Sequence, residues 1–311
     1  MAKILVTPRS LTEEGHPALN ALAEAGYETV FSTPGRLPTE GELIDLVSGC
    51  VGYLAGVEQI TAEVLESAAC LKVISRNGTG VDNIDLETAR RLNIRVCRAV
   101  GANAQGVAEL TLALILSLAR SVPFSDRAIK NGRWERRKGI ELASRTLGVV
   151  GCGNVGKLVA GLALALGMDV IAYDIAPDPS LAPSEQFSFC SLDTLFERSD
   201  IISLHCPSSG CGSPLIDARA LERMKPGVLI INTARPDLID NEAMVAFLDR
   251  GHVAGLAMDV FEREPPGNDT LARHERVIAT PHIGGFTEES VDRVARVAVQ
   301  NLLECLKEVS G

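Results

Sequence analysis

The 311-residue chain predicts an α/β fold built from two parallel-sheet domains. Three features carry that prediction. Short runs of Val, Ile and Leu alternate with helical patterns along almost the whole chain. The runs are apolar at consecutive positions, so they are buried on both faces, as in a parallel sheet covered by helices. The length is generous for one domain and comfortable for two.

In the first hundred residues the strand-like runs are 4–6, 28–31, 52–55, 72–75 and 95–97, with helical patterns near 17–25, 40–48, 61–69 and 85–92. A long, nearly all-apolar helix follows, from about 105 to 120. Apolar around most of its circumference, it is expected between domains or in a subunit interface. A second series of strands then occupies 147–150, 169–173, 200–204, 228–232, 253–258 and 276–279. A last helix, about 287–307, carries Val291, Val294, Val297 and Leu302 at helical spacing and needs a partner surface. The two halves share an architecture, not a sequence repeat.

Composition narrows the class. A hydrophobic content of 46% with 23% charged residues describes a well-buried globular protein. A net charge of −10 argues against nucleic acid and anionic membranes as partners. The apolar run at 4–6 is too short for a leader and reads as the first strand, and no run reaches membrane-spanning length. Eight cysteines without a CxxC pair suit a reduced, cytoplasmic protein, with Cys50, Cys70 and Cys190 as core filler. Cys206 and Cys211 lack a second pair, so no metal is expected.

Gly151-Cys152-Gly153-Asn154-Val155-Gly156 follows the run 147–150, opens an apolar helical segment and leads to Asp174 at the end of the next strand. This is the dinucleotide-binding fingerprint in its full context. The first glycine permits the turn, the second lets the backbone approach a pyrophosphate, and the third seats the helix close to the sheet. The helix N-terminus adds amide donors and the positive end of a dipole. Asp174 accepts hydrogen bonds from both ribose hydroxyls and repels a 2′-phosphate, with no Arg or Lys in Ile175-Ala176-Pro177 to accommodate one. The expected cofactor is NAD.

Reactive side chains stand where ligands bind in open parallel sheets, beyond the strand carboxyl ends. His205 and Cys206-Pro207 follow one strand, Arg235 another, Asp259 a third and His282 a fourth, with Glu264 just beyond Asp259. An arginine, a histidine and a carboxylate facing a nicotinamide are what 2-hydroxy acid oxidation requires. The guanidinium grips a carboxylate, the imidazole takes the hydroxyl proton, and the acid fixes the imidazole tautomer.

Several further stretches stand out: Arg76-Asn77-Gly78-Thr79-Gly80-Val81-Asp82-Asn83-Ile84-Asp85, Gly132-Arg133-Trp134-Glu135-Arg136, Ile231-Asn232-Thr233-Ala234-Arg235, Ala257-Met258-Asp259-Val260-Phe261 and Thr280-Pro281-His282-Ile283-Gly284-Gly285. On these the chain resembles the D-isomer-specific 2-hydroxy acid dehydrogenases, in their phosphoglycerate dehydrogenase-like branch. The resemblance implies a flavodoxin-like substrate domain from 1–100 plus 283–311, and a Rossmann NAD-binding domain from 101–282. It implies Arg235, Glu264 and His282 as the catalytic set. The substrate carboxylate would be held around Arg76, Asn77, Gly78 and Thr79. Gly151, Gly153, Asn154, Val155, Gly156, Asp174, Cys206, Pro207, Thr233, Ala234, Asp259, Gly284 and Gly285 would contact NAD. It also implies a homodimer and no metal.

Departures bound the assignment. Pro236-Asp237 replaces a pair of glycines usual after the arginine, and Ala55 stands where phosphoglycerate-specific relatives often carry an arginine. The chain stops at Gly311 without the regulatory domains of many serine-pathway enzymes, so serine feedback is not expected. The expectation is NAD-dependent interconversion of a small D-2-hydroxy acid and its 2-oxo acid. The basic run Lys130, Arg133, Arg136, Arg137 and Lys138 suggests a second anionic group on that acid. Two alternatives stay open: 3-phosphoglycerate as substrate, and an NAD-sensing protein of the co-repressor kind.

Overall fold

Strands that are apolar at every position need cover on both faces, and in the computed structural model of this chain they form two all-parallel sheets. The structure describes residues 1–13, 15–181, 184–208 and 212–309. They fall into two compact units, Met1–Asn103 with Thr287–Gly311, and Ala104–Phe286. These limits lie a few residues from 1–100 and 283–311. The reason is local: the N–H groups of Ile283 and Gly284 bond to Asp259, which ties that segment to the second unit.

The first unit runs β1 (Lys3–Val6), α1 (Arg9–Thr12), α2 (Asn20–Glu24), β2 (Glu28–Phe31), α3 (Glu40–Val47), β3 (Cys50–Ala55), α4 (Ala62–Ser67), β4 (Val73–Arg76), α5 (Leu86–Arg91) and β5 (Arg95–Arg98). The sheet order is β2-β1-β3-β4-β5. Helix α3 starts at a capping box, with Thr39 and Glu42 each satisfying the other's backbone N–H. Leu43, Val47, Tyr53, Val64, Leu65 and Ile74 pack together on one face of this sheet.

The second unit opens with α6 (Ala104–Ala119) and α7 (Val122–Lys130). It continues through β6 (Thr146–Val150), α8 (Asn154–Ala165), β7 (Asp169–Tyr173), β8 (Phe187–Phe189), α9 (Leu192–Arg198) and β9 (Ile201–Leu204). The last elements are α10 (Ala218–Arg223), β10 (Val228–Asn232), α11 (Asn241–Asp249), β11 (Val253–Met258) and β12 (Val277–Ala279). The order β12-β11-β10-β9-β6-β7-β8 reverses direction between β6 and β9, the switch point at which doubly wound sheets bind nucleotides. The chain then returns to the first unit as α12 (Glu288–Glu308). Its Ala295, Ala298, Val299, Leu302 and Leu306 cover Ile4, Val6, Leu54 and Val73 on the other face of the five-stranded sheet. Ser75 Oγ donates to the Ala298 carbonyl at 2.7 Å, binding strand to helix.

Helix α6 packs on β10, β11 and α8 of its own unit, with Leu114 and Ile115 buried and Leu116 exposed. One expectation changes. Cys70 is exposed rather than core filler, because it falls in the turn after α4; Cys50 is buried and Cys190 half-buried. Cys211 lies outside the described residues, among which no group of side chains could hold a metal ion. No single helix among the described residues is long and apolar enough to cross a membrane.

Candidate active site

The glycine turn between β6 and α8 shows what each glycine permits. Gly151 has φ +89°, and a Cβ there would stand 2.7 Å from Cys206 N, so this turn packs on the end of β9. A Cβ on Gly156 would lie 2.0 Å from the Gly151 carbonyl oxygen, which seats α8 on the turn. A Cβ on Gly153 would meet nothing within 4 Å. Gly153 is also the N-cap of α8 and makes no side-chain cap, so no cap side chain competes with an anion for the first amides of the helix. These features fit a pyrophosphate.

Asp174, at the end of β7, accepts the N–H of Cys152 at 2.7 Å on one oxygen and that of Ala176 at 2.9 Å on the other. The carboxylate is therefore fixed against the glycine turn, and it keeps lone pairs for ribose hydroxyls. Cys206 is half-buried, and burial pushes its thiol up to about 11. Neighbouring His205 is driven the other way by burial, to about 3, so it is a neutral imidazole sharing a hydrogen bond with Ser203 at 2.8 Å. Neither is set up for acid–base work at neutral pH.

The triad proposed from sequence gathers in the second unit. His282 Nδ1 is 2.9 Å from both oxygens of Glu264. The Glu264 hydrogen bond raises the His282 pKa above its ordinary 6.5 against the lowering effect of burial, while Asp259 adds to the rise and Arg235 opposes it. On Glu264, burial works upward, but the His282 bond and charge and the Phe261 N–H outweigh it, and the net shift is downward. Arg235 follows β10 in extended conformation, φ −141°, as a residue before proline must. Buried Asn232 pins that turn: its Nδ2 donates to Arg235 O at 2.8 Å and its Oδ1 accepts Ala234 N–H at 3.0 Å. Thr233 is held through its hydroxyl to Thr111 of α6, at 3.0 Å.

Asp259, at the end of β11, is 2% exposed. It accepts the Thr280 hydroxyl at 2.6 Å, Ile283 N–H at 2.9 Å and Gly284 N–H at 2.8 Å. These bonds clamp both sides of His282, whose φ of +52° is a left-handed conformation that costs a non-glycine residue energy. Sequence reasoning marked Asp259 for coenzyme contact and did not see this work. It quoted Asn232 within a matching stretch but gave it no role, although a lone amide ending an apolar strand was the available signal.

The expected substrate loop lies in the first unit after β4. Asn77 N–H donates to Ala55 O and Gly78 N–H to Arg76 O, both at 2.8 Å, while the Thr79 hydroxyl reaches Ala99 O and Asn103 Oδ1 at 3.2 Å. In the basic segment, Arg137 stacks 3.4 Å over the Phe124 ring and Arg133 pairs with Glu135 at 3.2 Å.

Comparison with known proteins sets this geometry in a family. The model of the D-isomer specific 2-hydroxyacid dehydrogenase NAD binding domain matches residues 112–284. A D-3-phosphoglycerate dehydrogenase of Synechocystis is 37% identical over 98% of this chain, which spans 54% of that relative's length. A hydroxypyruvate reductase of Thermotoga maritima is 41% identical over 79% of this chain and 81% of its own. A D-lactate dehydrogenase structure from Aquifex aeolicus, complexed with NAD and lactic acid, superposes with a TM-score of 0.83 at 31% identity, covering 98% of this chain and 96% of that one. The chain belongs to the D-isomer specific 2-hydroxyacid dehydrogenases. Its glycine turn and all three triad residues lie within the matched NAD binding domain.

Proposed function

We propose that the protein interconverts a small D-2-hydroxy acid and its 2-oxo acid with NAD as coenzyme. The observation that carries this is the His282–Glu264 pair, 2.9 Å apart and with the imidazole pKa raised, in a unit that also holds the dinucleotide turn. Gly151, Gly153, Asn154, Val155, Gly156 and Asp174 would hold the coenzyme, with Cys206, Pro207, Thr233, Ala234, Asp259, Gly284 and Gly285 lining it. When bound, its nicotinamide supplies or accepts the hydride.

The residues do the rest. Glu264 occupies Nδ1 of His282, so Nε2 is the atom that exchanges a proton with the substrate oxygen. Oxidation needs that nitrogen neutral and reduction needs it protonated, and the raised pKa extends to higher pH the range in which the protonated form is present. Arg235 grips the substrate carboxylate and polarises the adjacent carbonyl. The loop Arg76, Asn77, Gly78 and Thr79 of the first unit is proposed for the substrate carboxylate on the resemblance alone; its Asn77 and Gly78 amides are engaged by backbone carbonyls.

The relatives named D-3-phosphoglycerate dehydrogenase favour a second reading, with phosphohydroxypyruvate as the oxo acid. NADH consumption followed against pyruvate, glyoxylate, hydroxypyruvate, phosphohydroxypyruvate and sulfopyruvate decides between them, and oxidation with none would indicate a binding protein. His282→Ala should cost roughly 10²–10⁴ in turnover on the best substrate; near-normal turnover would overturn the role of His282.

Exposed Leu116, Val122, Ile129 and Trp134 on α6, α7 and the following segment supply an apolar surface for a homodimer in a cytoplasmic setting. Sedimentation of the purified protein as a monomer at micromolar concentration would exclude that assembly.

A further inference from the structure

Cys97 and Cys305 lie 208 residues apart in sequence and bring their Sγ atoms within 2.7 Å of each other. Both are free thiols and both are half-buried. The contact joins β5, the edge strand of the five-stranded sheet, to α12, the helix the chain adds to the first unit after completing the second. Neither residue belongs to the proposed active site.

Local geometry explains the meeting. Side chains alternate along a strand, so Val96 packs with one face of the sheet and Cys97 with the other, the face that α12 covers. On α12, Asn301, Cys305 and Glu308 recur at helical spacing and form one stripe. That stripe meets β5 in reverse order. Glu308 pairs with Arg95, Cys305 meets Cys97, and Asn301 Nδ2 donates to the Arg98 carbonyl at 3.1 Å. Farther along, Arg293 Nε donates to the Ala102 carbonyl at 3.0 Å. Bonds on both sides of the thiols thus hold strand and helix in register. Two cysteines can be bridged without backbone movement only where their side chains already face each other. A metal is not the alternative, since no group that could hold one occurs among the described residues.

We propose that Cys97 and Cys305 form an oxidative modification site, at which hydrogen peroxide converts the two thiols to a disulfide that staples α12 to β5. Burial and the neighbouring sulfur push the Cys97 thiol up to about 12, which leaves Cys305, in the field of Arg95, as the attacking sulfur. The Cys305 thiolate attacks one peroxide oxygen, the O–O bond breaks, and the departing hydroxide takes up the thiol's proton as water. Cys305 is then a sulfenic acid. The Cys97 sulfur displaces its hydroxyl, the S–S bond forms, and the hydroxyl leaves with the Cys97 proton as a second water. Two thiols have lost two electrons and two protons, and the peroxide has gained them. The link closes the whole second unit into a loop of the chain, which restricts the unfolded state. It also keeps α12 over Ile4, Val6, Leu54 and Val73.

The test treats the purified protein with a small molar excess of hydrogen peroxide, alkylates the remaining thiols and maps the unreduced digest by mass spectrometry. A peptide carrying Cys97 joined to one carrying Cys305 is expected. The thermal midpoint should rise by about 5–10 °C and return with dithiothreitol. Cys97→Ser and Cys305→Ser should each lose the link and the rise. Dimedone should trap a sulfenic acid on Cys305 in Cys97→Ser, and none on Cys97 in Cys305→Ser. Both thiols fully alkylated after oxidation, either sulfur joined to a different cysteine, or a link that leaves the midpoint unmoved would each overturn the proposal. If a variant does not fold, the wild-type map and its reversal by dithiothreitol decide. No readout needs turnover, so the result stands whether or not the dehydrogenase reading does.

Discussion

The Asp259 carboxylate holds Gly284 by its N–H at 2.8 Å, across 25 residues of sequence, and through it the backbone that carries His282. Three donors aimed at one buried acid leave no place for an amide nitrogen. Asp259→Asn should therefore lose about 2–3 kcal/mol of stability and loosen the left-handed turn at His282. We expect kcat to fall by about 10- to 100-fold with smaller change in NADH affinity. Fluorescence titration of NADH beside steady-state kinetics checks this; lost affinity with intact kcat would make Asp259 a coenzyme contact instead.

Replacing Glu264 with Gln removes the main cause of the raised His282 pKa. The alkaline limb of the reduction profile should move to lower pH. Stability follows the same shifts. A raised His282 pKa stabilises fully below the ordinary imidazole value and loses that contribution as pH rises through the folded one. A lowered Glu264 pKa stabilises above the ordinary carboxyl value and loses it as pH falls through the folded one. The gap between wild type and Glu264→Gln should thus be widest between about pH 4.5 and 6.5, the two reference values. Thermal midpoints measured across pH would show it, and a flat difference would contradict the pairing.

Two glycines of one turn should respond differently. Gly156→Ala places a methyl group 2.0 Å from the Gly151 oxygen, so the turn must move. The variant should lose about 1–3 kcal/mol or more of stability. Gly153→Ala has open space and should fold normally, yet weaken NADH binding because that space is reserved for phosphate. Equal effects of the two on stability would remove the distinction.

Coenzyme choice should depend on Asp174. Its carboxylate, fixed by the Cys152 and Ala176 amides, stands to repel a 2′-phosphate by roughly 4 kcal/mol at about 4 Å in a partly screened site. Wild type should use NADH at least about 100-fold better than NADPH, and Asp174→Ala should narrow that ratio mainly through the KM for NADPH. A wild type indifferent to the phosphate would remove Asp174 from this role.

Much of the site is legible in the sequence because its chemistry is local or periodic. Gly151, Gly153 and Gly156 are spaced by the geometry of a single turn. Arg235, Asp259 and His282 are marked by the apolar strands they terminate. Those strands were placed within a residue or two, since continuous Val, Ile and Leu runs have few other uses in an α/β chain. The three-residue β8 and the polar helix α7 had no such run to announce them.

By itself the sequence determined the two parallel sheets and the dinucleotide turn, and it singled out Glu264, His282 and Arg235 as candidates. Only tertiary structure decided that Asp259 clamps the loop of His282 and that Asn232 shapes the turn of Arg235. The physical reason is range. A turn or a strand is written in neighbouring residues, whereas a hydrogen bond between distant strand ends depends on sheet order and register, which no single segment contains.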